Sequence, residues 1–178
     1  MKFNYCPDCG AKASVARQNA TDYECTACSW HFWNNAKATA TTVFINPDGH
    51  ILYVLRAIDP QKGFYGLPGG FIEYNEDPYK AAAREALEET GVRVKNPQLL
   101  DVHYNEYMPD YISTCDLYFV ATEWEGQPVA GDDAAEVAWR PVDILGSDQF
   151  AWPYGPKLMA RIQTFIATMK DNANLPTN

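Results

Sequence analysis

Apolar residues gather first in two β-rich runs, Thr39 to Ile45 and His50 to Arg56, which flank Asn46-Pro47-Asp48-Gly49. That tetrapeptide has the composition of a hairpin turn. Further apolar stretches lie near Gln98 to Tyr104, Ile112 to Thr122 and Glu136 to Arg140, and read as strands. The period changes between about Pro156 and Met169, where Leu158, Met159, Ile162, Phe165 and Ile166 recur at helical spacing and predict one buried face. A second helix is predicted from Asp77 to Thr90. Asp77 is placed to cap it, Pro78 occupies its first position, alanines and good helix formers continue it, and Gly91 stops it. Strands and helices therefore alternate between Ala36 and Lys170, the order of an α/β domain built as an αβα sandwich on a mixed sheet. No run of eighteen apolar residues suggests a membrane span. The chain turns polar from Asp171, and residues 173–178 are expected to form a flexible tail.

The helix from Asp77 to Thr90 carries the chemistry. Glu85, Glu88 and Glu89 are spaced by three and four residues, so they share a face, with Ala81 one turn earlier and too small to shield them. Stability does not explain that face. Like charges at this spacing cost about 0.2 to 0.5 kcal/mol per pair, and the negative end of the helix dipole opposes them further. Arg84 stands four residues before Glu88 as an ordinary ion-pair partner, whereas Glu85 and Glu89 have none within the helix. A hard divalent cation resolves the conflict, because magnesium prefers carboxylate oxygens and shares its shell with substrate phosphates.

Gly70, Glu76 and the run Arg84-Glu85-Ala86-Leu87-Glu88-Glu89-Thr90-Gly91-Val92 resemble the Nudix box of the Nudix hydrolase superfamily. Ala86 departs from the pattern, which asks there for an aliphatic residue that is usually larger. Upstream, Gly66-Leu67-Pro68-Gly69-Gly70 resembles the turn that leads into the box. The resemblance implies a Nudix αβα sandwich over residues 36–172. It also implies hydrolysis of a nucleoside diphosphate linked to another moiety, with release of a nucleoside monophosphate. Carried over by position, Glu85, Glu88 and Glu89 would hold catalytic Mg2+ or Mn2+, with the Gly70 carbonyl nearby. Arg84 and Glu76 would support them through an ion pair. The general base would be a box glutamate or Glu136.

Residues that could recognise the substrate follow from chemistry. Phe64, Tyr65, Tyr104, Tyr107 and Tyr111 offer flat apolar surfaces for an adenine, and Arg56, at the end of a strand, could meet a phosphate oxygen.

Cys6-Pro7-Asp8-Cys9 and Cys25-Thr26-Ala27-Cys28 are separated by fifteen residues, the spacing of a four-thiolate structural zinc site, so residues 1–35 read as a zinc ribbon. A module so short needs such a staple. Two disulfides could use the same cysteines, but Met1-Lys2-Phe3-Asn4-Tyr5 does not resemble a signal peptide, and a cytoplasmic location is expected, where metal is favoured. His31 is read as a packed or surface histidine and Cys115 as a half-buried strand residue. Exposed Trp30 and Phe32 suggest either a platform for the catalytic domain or a homodimer contact. Nucleic acid is an unsuitable partner. Residues 1–33 set Lys2, Lys12 and Arg17 against Asp8, Asp22 and Glu24, and the whole chain has net charge -9.

A zinc ribbon joined to a Nudix domain is similar to the NADH pyrophosphatase arrangement, which suggests NADH or a related dinucleotide. The proline- and tryptophan-containing signature of those enzymes is missing from the stretch Tyr104 to Tyr111. Pro109 falls near a proline that resembles the ADP-ribose pyrophosphatase pattern, and the tyrosines around it are similar to those of diadenosine-polyphosphate hydrolases. Two other functions fit the same framework: a non-catalytic nucleotide sensor whose ribbon contacts a partner, and a nucleotide-cap hydrolase acting on RNA. The first conflicts with the intact acids. The second needs a basic groove, and the cations at hand are Lys80, Arg84, Arg93 and Lys95.

Overall fold

A computed structural model of the chain describes residues 3–12, 15–18, 22–107, 112–131 and 133–173, and the side chains of Tyr107 and of residues 170–173 lie outside the description. The backbone divides into two compact units, Met1–Lys37 with Glu106–Ser113, and Ala38–Asn105 with Thr114–Asn178.

In the first unit, β1 (Val15–Arg17), β2 (Asp22–Cys25) and β3 (His31–Trp33) form an antiparallel sheet with β2 in the centre. These strands were not anticipated from the sequence, being too short to show a period. The unit's apolar centre is aromatic. Phe3 meets Tyr23 and Trp30 edge-on at 5.2 Å each and Phe32 at 5.6 Å, while Trp30 and Phe32 stack. Trp30 and Phe32 are therefore half-buried rather than the exposed pair expected for a dimer contact, because a module this small must use its large rings as core. Among the described residues of this unit the exposed aromatics are Tyr5 and Trp33.

The second unit has two helices on opposite faces of sheet. Apart from Lys37 and the ends of β9 and β10 that fall in Glu106–Ser113 of the first unit, it contains in chain order β4 (Lys37–Phe44), β5 (Ile51–Arg56), β6 (Tyr65–Gly66), β7 (Gly69–Phe71), α1 (Pro78–Thr90), β8 (Arg93–Lys95), β9 (Gln98–Tyr107), β10 (Ile112–Ala121), β11 (Glu123–Glu125), β12 (Ala134–Arg140), a short 3-10 turn (Val142–Gly146) and α2 (Gly155–Ala173). The strand order is β7-β4-β10-β9 in one sheet and β12-β5-β6 in another, with β11 and β8 paired separately. The turn at Asn46 to Gly49 forms as expected, with the Gly49 amide donating to Asn46 O. Its flanking strands do not remain a hairpin. A single bridge, Ile45 to Ile51, joins them before β4 and β5 diverge into separate sheets, since each finds a longer partner elsewhere.

Alternation along the strands sorts the core. Val43, Ile51, Tyr53, Tyr118 and Val120 pack with Leu158 and Ile162 of α2, and Met159, Phe165 and Ile166 close the same layer, so the predicted apolar face of that helix is the buried one. Phe44, Leu52 and Ala121 pack with Ala86 and Val92 on the α1 side, and Ala40 and Phe119 pack with Ala81 and Ala82. This is the αβα sandwich. Ala81, expected to border the acidic face, is instead fully buried, because Ala81, Ala82 and Ala86 form the face of α1 that approaches the sheet. Ala86 has the same explanation: a larger side chain would hold the helix away from Phe44 and Leu52. α2 reaches Ala173, a residue assigned to the tail; residues 174–178 lie outside the described residues. Among the described residues no helix is long and apolar enough to cross a membrane.

Candidate active site

α1 begins as its sequence requires. Asp77 Oδ1 accepts from the Tyr79 and Lys80 amides at 3.0 and 3.3 Å, and Gly91 ends the helix in the left-handed conformation at φ 68. Its last carbonyls are then taken up by the loop before β12. The Val129 amide donates to Thr90 O at 2.9 Å and the Gly131 amide to Glu89 O at 3.0 Å. Any side chain at Gly131 would overlap Glu88 O, so the loop lies flat on the helix end.

Four of the five predicted catalytic side chains meet through Arg84. Its Nε and Nη2 donate to the two carboxylate oxygens of Glu76 at 2.8 and 2.9 Å. Its Nη1 reaches Glu85 at 2.7 Å and Glu88 at 3.1 Å, and Nη2 also donates to Phe71 O at 3.1 Å. The Glu73 amide adds a bond to Glu76 at 2.9 Å. Hydrogen bonding from Arg84 and then from this amide holds the Glu76 carboxyl well below the ordinary range, at about 2. Arg84 thus ties α1 to the loop that follows β7.

Glu89, the fifth, stands apart from Arg84. Its Oε2 accepts from the Gly69 amide at 3.1 Å. Burial pushes its carboxyl up to about 8, opposed by the Gly69 amide; the Glu85 and Asp133 charges raise it further, and that of Arg56 lowers it. Burial raises Glu85 as well, against the pull of Arg84. The Gly69-Gly70 backbone runs against these carboxylates, and a Cβ on Gly70 would fall 2.5 Å from Glu85 Oε1. Half-buried acids that share a single guanidinium, with a main chain pressed close, have the donor chemistry that a hard divalent cation satisfies.

The substrate-binding candidates separate. Arg56 ends β5 with its charge felt at Glu89, and Phe64 beside it is exposed. Tyr65 packs edge-on against Tyr53 at 6.0 Å and belongs to the α2-side core. Tyr104 is exposed on β9, while the Tyr107 side chain, Pro109 and Tyr111 lie outside the described residues. Glu136 pairs with Arg140 at 3.5 Å on the surface of β12. Its neighbour Val137 packs on the Ala86 side, so alternation turns Glu136 to the other face. Asp133 and Trp152 also belong to this neighbourhood and were not singled out in the sequence. Asp133 ends the loop over α1 and its carbonyl accepts from Ala57 at 2.8 Å, and Trp152 lies under Arg56. Neither sits in a motif, so no spacing marks it.

In the first unit the four cysteine sulfurs lie within 4.8 Å of one another, with Cys6 and Cys28 at 3.7 Å and Cys9 and Cys25 at 3.9 Å. Four sulfurs arranged tetrahedrally at a zinc–sulfur distance of about 2.3 Å are separated by about 3.8 Å, so the donor set fits zinc. The Ala27 and Trp30 amides point at Cys25 and Cys28 sulfurs at 3.3 and 3.4 Å, contacts that favour thiolate charge. His31 is not among these ligands. It stacks on Trp33 at 4.1 Å, with its ring nitrogens toward Asp22 and Glu24. Cys115 is half-buried in β10, as expected.

The NUDIX domain family model matches residues 36–162. The ADP-ribose pyrophosphatase of Methanocaldococcus jannaschii is 36% identical over 108 residues, which is 61% of this chain and 64% of that protein. The chain thus spans a little under two thirds of that relative. The 8-oxo-dGTP diphosphatase of Haemophilus influenzae is 33% identical over 125 residues, 69% of this chain and 88% of that protein. Among solved structures, a NUDIX hydrolase from Nitrosomonas europaea superposes with TM-score 0.73 at 26% identity, covering 90% of this chain and 91% of that one.

Proposed function

The chain belongs to the Nudix family and is a Nudix hydrolase, and on that premise we propose that it cleaves the diphosphate of a nucleoside diphosphate linked to another moiety, ADP-ribose first, releasing a nucleoside monophosphate. The observation that carries this reading is the meeting of Glu85 and Glu89 against the Gly69-Gly70 backbone, with Arg56 within electrostatic reach. Glu85, Glu88 and Glu89, with the Gly70 carbonyl, would hold Mg2+ or Mn2+, which when bound supplies charge neutralisation and Lewis acidity at the diphosphate. The chain's own residues do the rest. Arg84 orients Glu85 and Glu88 from a guanidinium that Glu76 holds fixed, so the carboxylates need little reorganisation when substrate arrives. Gly69 and Gly70 allow the backbone to approach without a side chain between. Arg56 has the fork geometry for phosphate oxygens, and exposed Phe64 offers a face for the base. The burial that raises the Glu89 carboxyl in the metal-free protein is the burden that a bound cation would relieve.

Structural Zn2+ on Cys6, Cys9, Cys25 and Cys28 is part of the same proposal, supported by the sulfur spacing, and such a thiolate site suits the reducing cytosol. ADP-ribose is preferred because the Methanocaldococcus jannaschii relative is named for it. The Haemophilus influenzae relative supports a second reading, an oxidised nucleoside triphosphate. The test is incubation of zinc-replete protein with Mg2+ and ADP-ribose, NADH, 8-oxo-dGTP, FAD, coenzyme A and diadenosine polyphosphates, with release of nucleoside monophosphate followed by chromatography. Preferred turnover of ADP-ribose supports the proposal, and preferred turnover of 8-oxo-dGTP selects the second reading. Binding of any of them without turnover would move the protein to the sensing class.

A further inference from the structure

Arg56 is held from two sides. Its Nε donates to Pro60 O at 2.8 Å, and its guanidinium carbon lies 5.4 Å from the centre of the Trp152 ring, over its face. Across from it, Gly66 has no side chain, and a Cβ there would touch Arg56 Cγ at 3.8 Å. Among the described residues neither Nη nitrogen has a hydrogen-bond partner. The platform under the guanidinium is itself anchored. The Ala151 amide donates to Tyr65 O at 2.9 Å and the Tyr65 amide to Gln149 O at 2.8 Å, which fixes the chain around Trp152 to β6. The strand carrying Arg56 meets the loop over α1 at once, with Ala134 opposite Arg56 and the Ala57 amide on Asp133 O.

A free arginine loses side-chain rotamer freedom when a ligand immobilises it. Here the stem and Nε are already committed, the aromatic face stabilises the cation, and the two remaining donors form a fork that matches two phosphate oxygens. We propose that Trp152 is a positioning residue, which holds the Arg56 guanidinium with its two Nη groups free to bind the diphosphate of the substrate. This rests on the reading above that a diphosphate occupies the α1 carboxylate site. It deepens that reading by making phosphate affinity depend on a ring that has no need to touch the substrate.

The test is a double-mutant cycle on the zinc-replete full chain with Mg2+. Affinity for the non-hydrolysable α,β-methylene-ADP is measured by calorimetry in the wild type, Arg56→Ala, Trp152→Ala, Trp152→Phe and the double Arg56→Ala/Trp152→Ala variant, and kcat and KM for ADP-ribose are measured beside it. Trp152→Ala is expected to weaken binding and raise KM about fivefold to tenfold, with kcat within about twofold, and Trp152→Phe to restore most of the loss. Arg56→Ala is expected to weaken binding more than tenfold, and the double variant to equal it, because the ring acts only through the arginine. Losses that multiply in the double variant, a Trp152→Phe protein as weak as Trp152→Ala, or unchanged affinity in Trp152→Ala would overturn the proposal. If Trp152→Ala does not fold, Trp152→Leu replaces it, keeping apolar bulk without an aromatic face. Absence of wild-type turnover on every compound would defeat the hydrolase reading alone, since the binding cycle still reads the pair. A wild type that does not bind the methylene analogue would overturn the role of Arg56 and Trp152 together.

Discussion

Gly70 and Glu85 are in contact in a way that only glycine permits: a Cβ at position 70 would lie 2.5 Å from Glu85 Oε1 and 2.6 Å from its carboxyl carbon. The obstacle is the far end of a flexible side chain, so Gly70→Ala should leave the fold standing and displace the carboxylate. Its thermal midpoint is expected to stay near that of the wild type while Mg2+-dependent activity falls about 10- to 100-fold. Gly155→Ala is the counterexample, since a Cβ there would overlap the Leu145 carbonyl and the main chain must move. Melting curves and kcat/KM for both variants check the contrast. Equal loss of stability in the two would show that Gly70 is structural.

The paired hydrogen bonds between Arg84 and Glu76 make a second prediction. Glu76→Gln keeps the shape but removes the charge that fixes the guanidinium, and it is expected to lower kcat/KM and Mg2+ affinity about 10- to 100-fold. Arg84→Lys should not substitute, because an ammonium cannot hold both oxygens of Glu76 while reaching Glu85 and Glu88. Steady-state kinetics across a Mg2+ titration read both effects.

Glu89 predicts a pH dependence of stability without added Mg2+. Its carboxyl in the folded protein sits at about 8, above the ordinary 4.5, because burial disfavours the charged form. A group raised on folding contributes its full stability below the unfolded value and loses it as pH rises through the folded one. Thermal midpoints measured in zinc-replete protein from pH 5 to pH 8.5 should therefore fall more in the wild type than in Glu89→Gln. Added Mg2+ should reverse the difference at the upper end. Identical profiles for the two proteins would contradict the assignment of this burden to Glu89.

The four-cysteine cluster predicts about one zinc per chain. Cys28→Ser should lose the metal and the near-ultraviolet signal of the aromatics packed on Phe3, since that small core depends on the staple. Metal analysis and circular dichroism decide it. Retention of a full zinc complement in Cys28→Ser would remove this residue from the ligand set.

Local chemistry was legible without coordinates. Asp77, Pro78 and Gly91 specify α1 because capping and φ preference act within a few residues, and the carboxylate spacing follows once the helix is known. The apolar face of α2 was readable for the same reason, and the two cysteine pairs needed only their spacing. Tertiary structure decided what depends on partners distant in sequence. β4 and β5 part after one bridge because each pairs better elsewhere, Trp30 and Phe32 turn inward because a ribbon has nothing else for a core, and Glu136 faces away from Val137 through strand alternation. Which acid is partly withdrawn from solvent is also a tertiary matter. Glu88 stays exposed while Glu89 is pressed onto the Gly69 amide, a contrast that the sequence marks only by giving Glu88 an ion-pair partner in Arg84. Arg56, Trp152 and Asp133 come together from three separate segments, through strand pairing and loop contacts that leave no period or motif in the chain. Short-range preferences are written residue by residue, whereas burial and the electrostatics it creates exist only after the layers have packed.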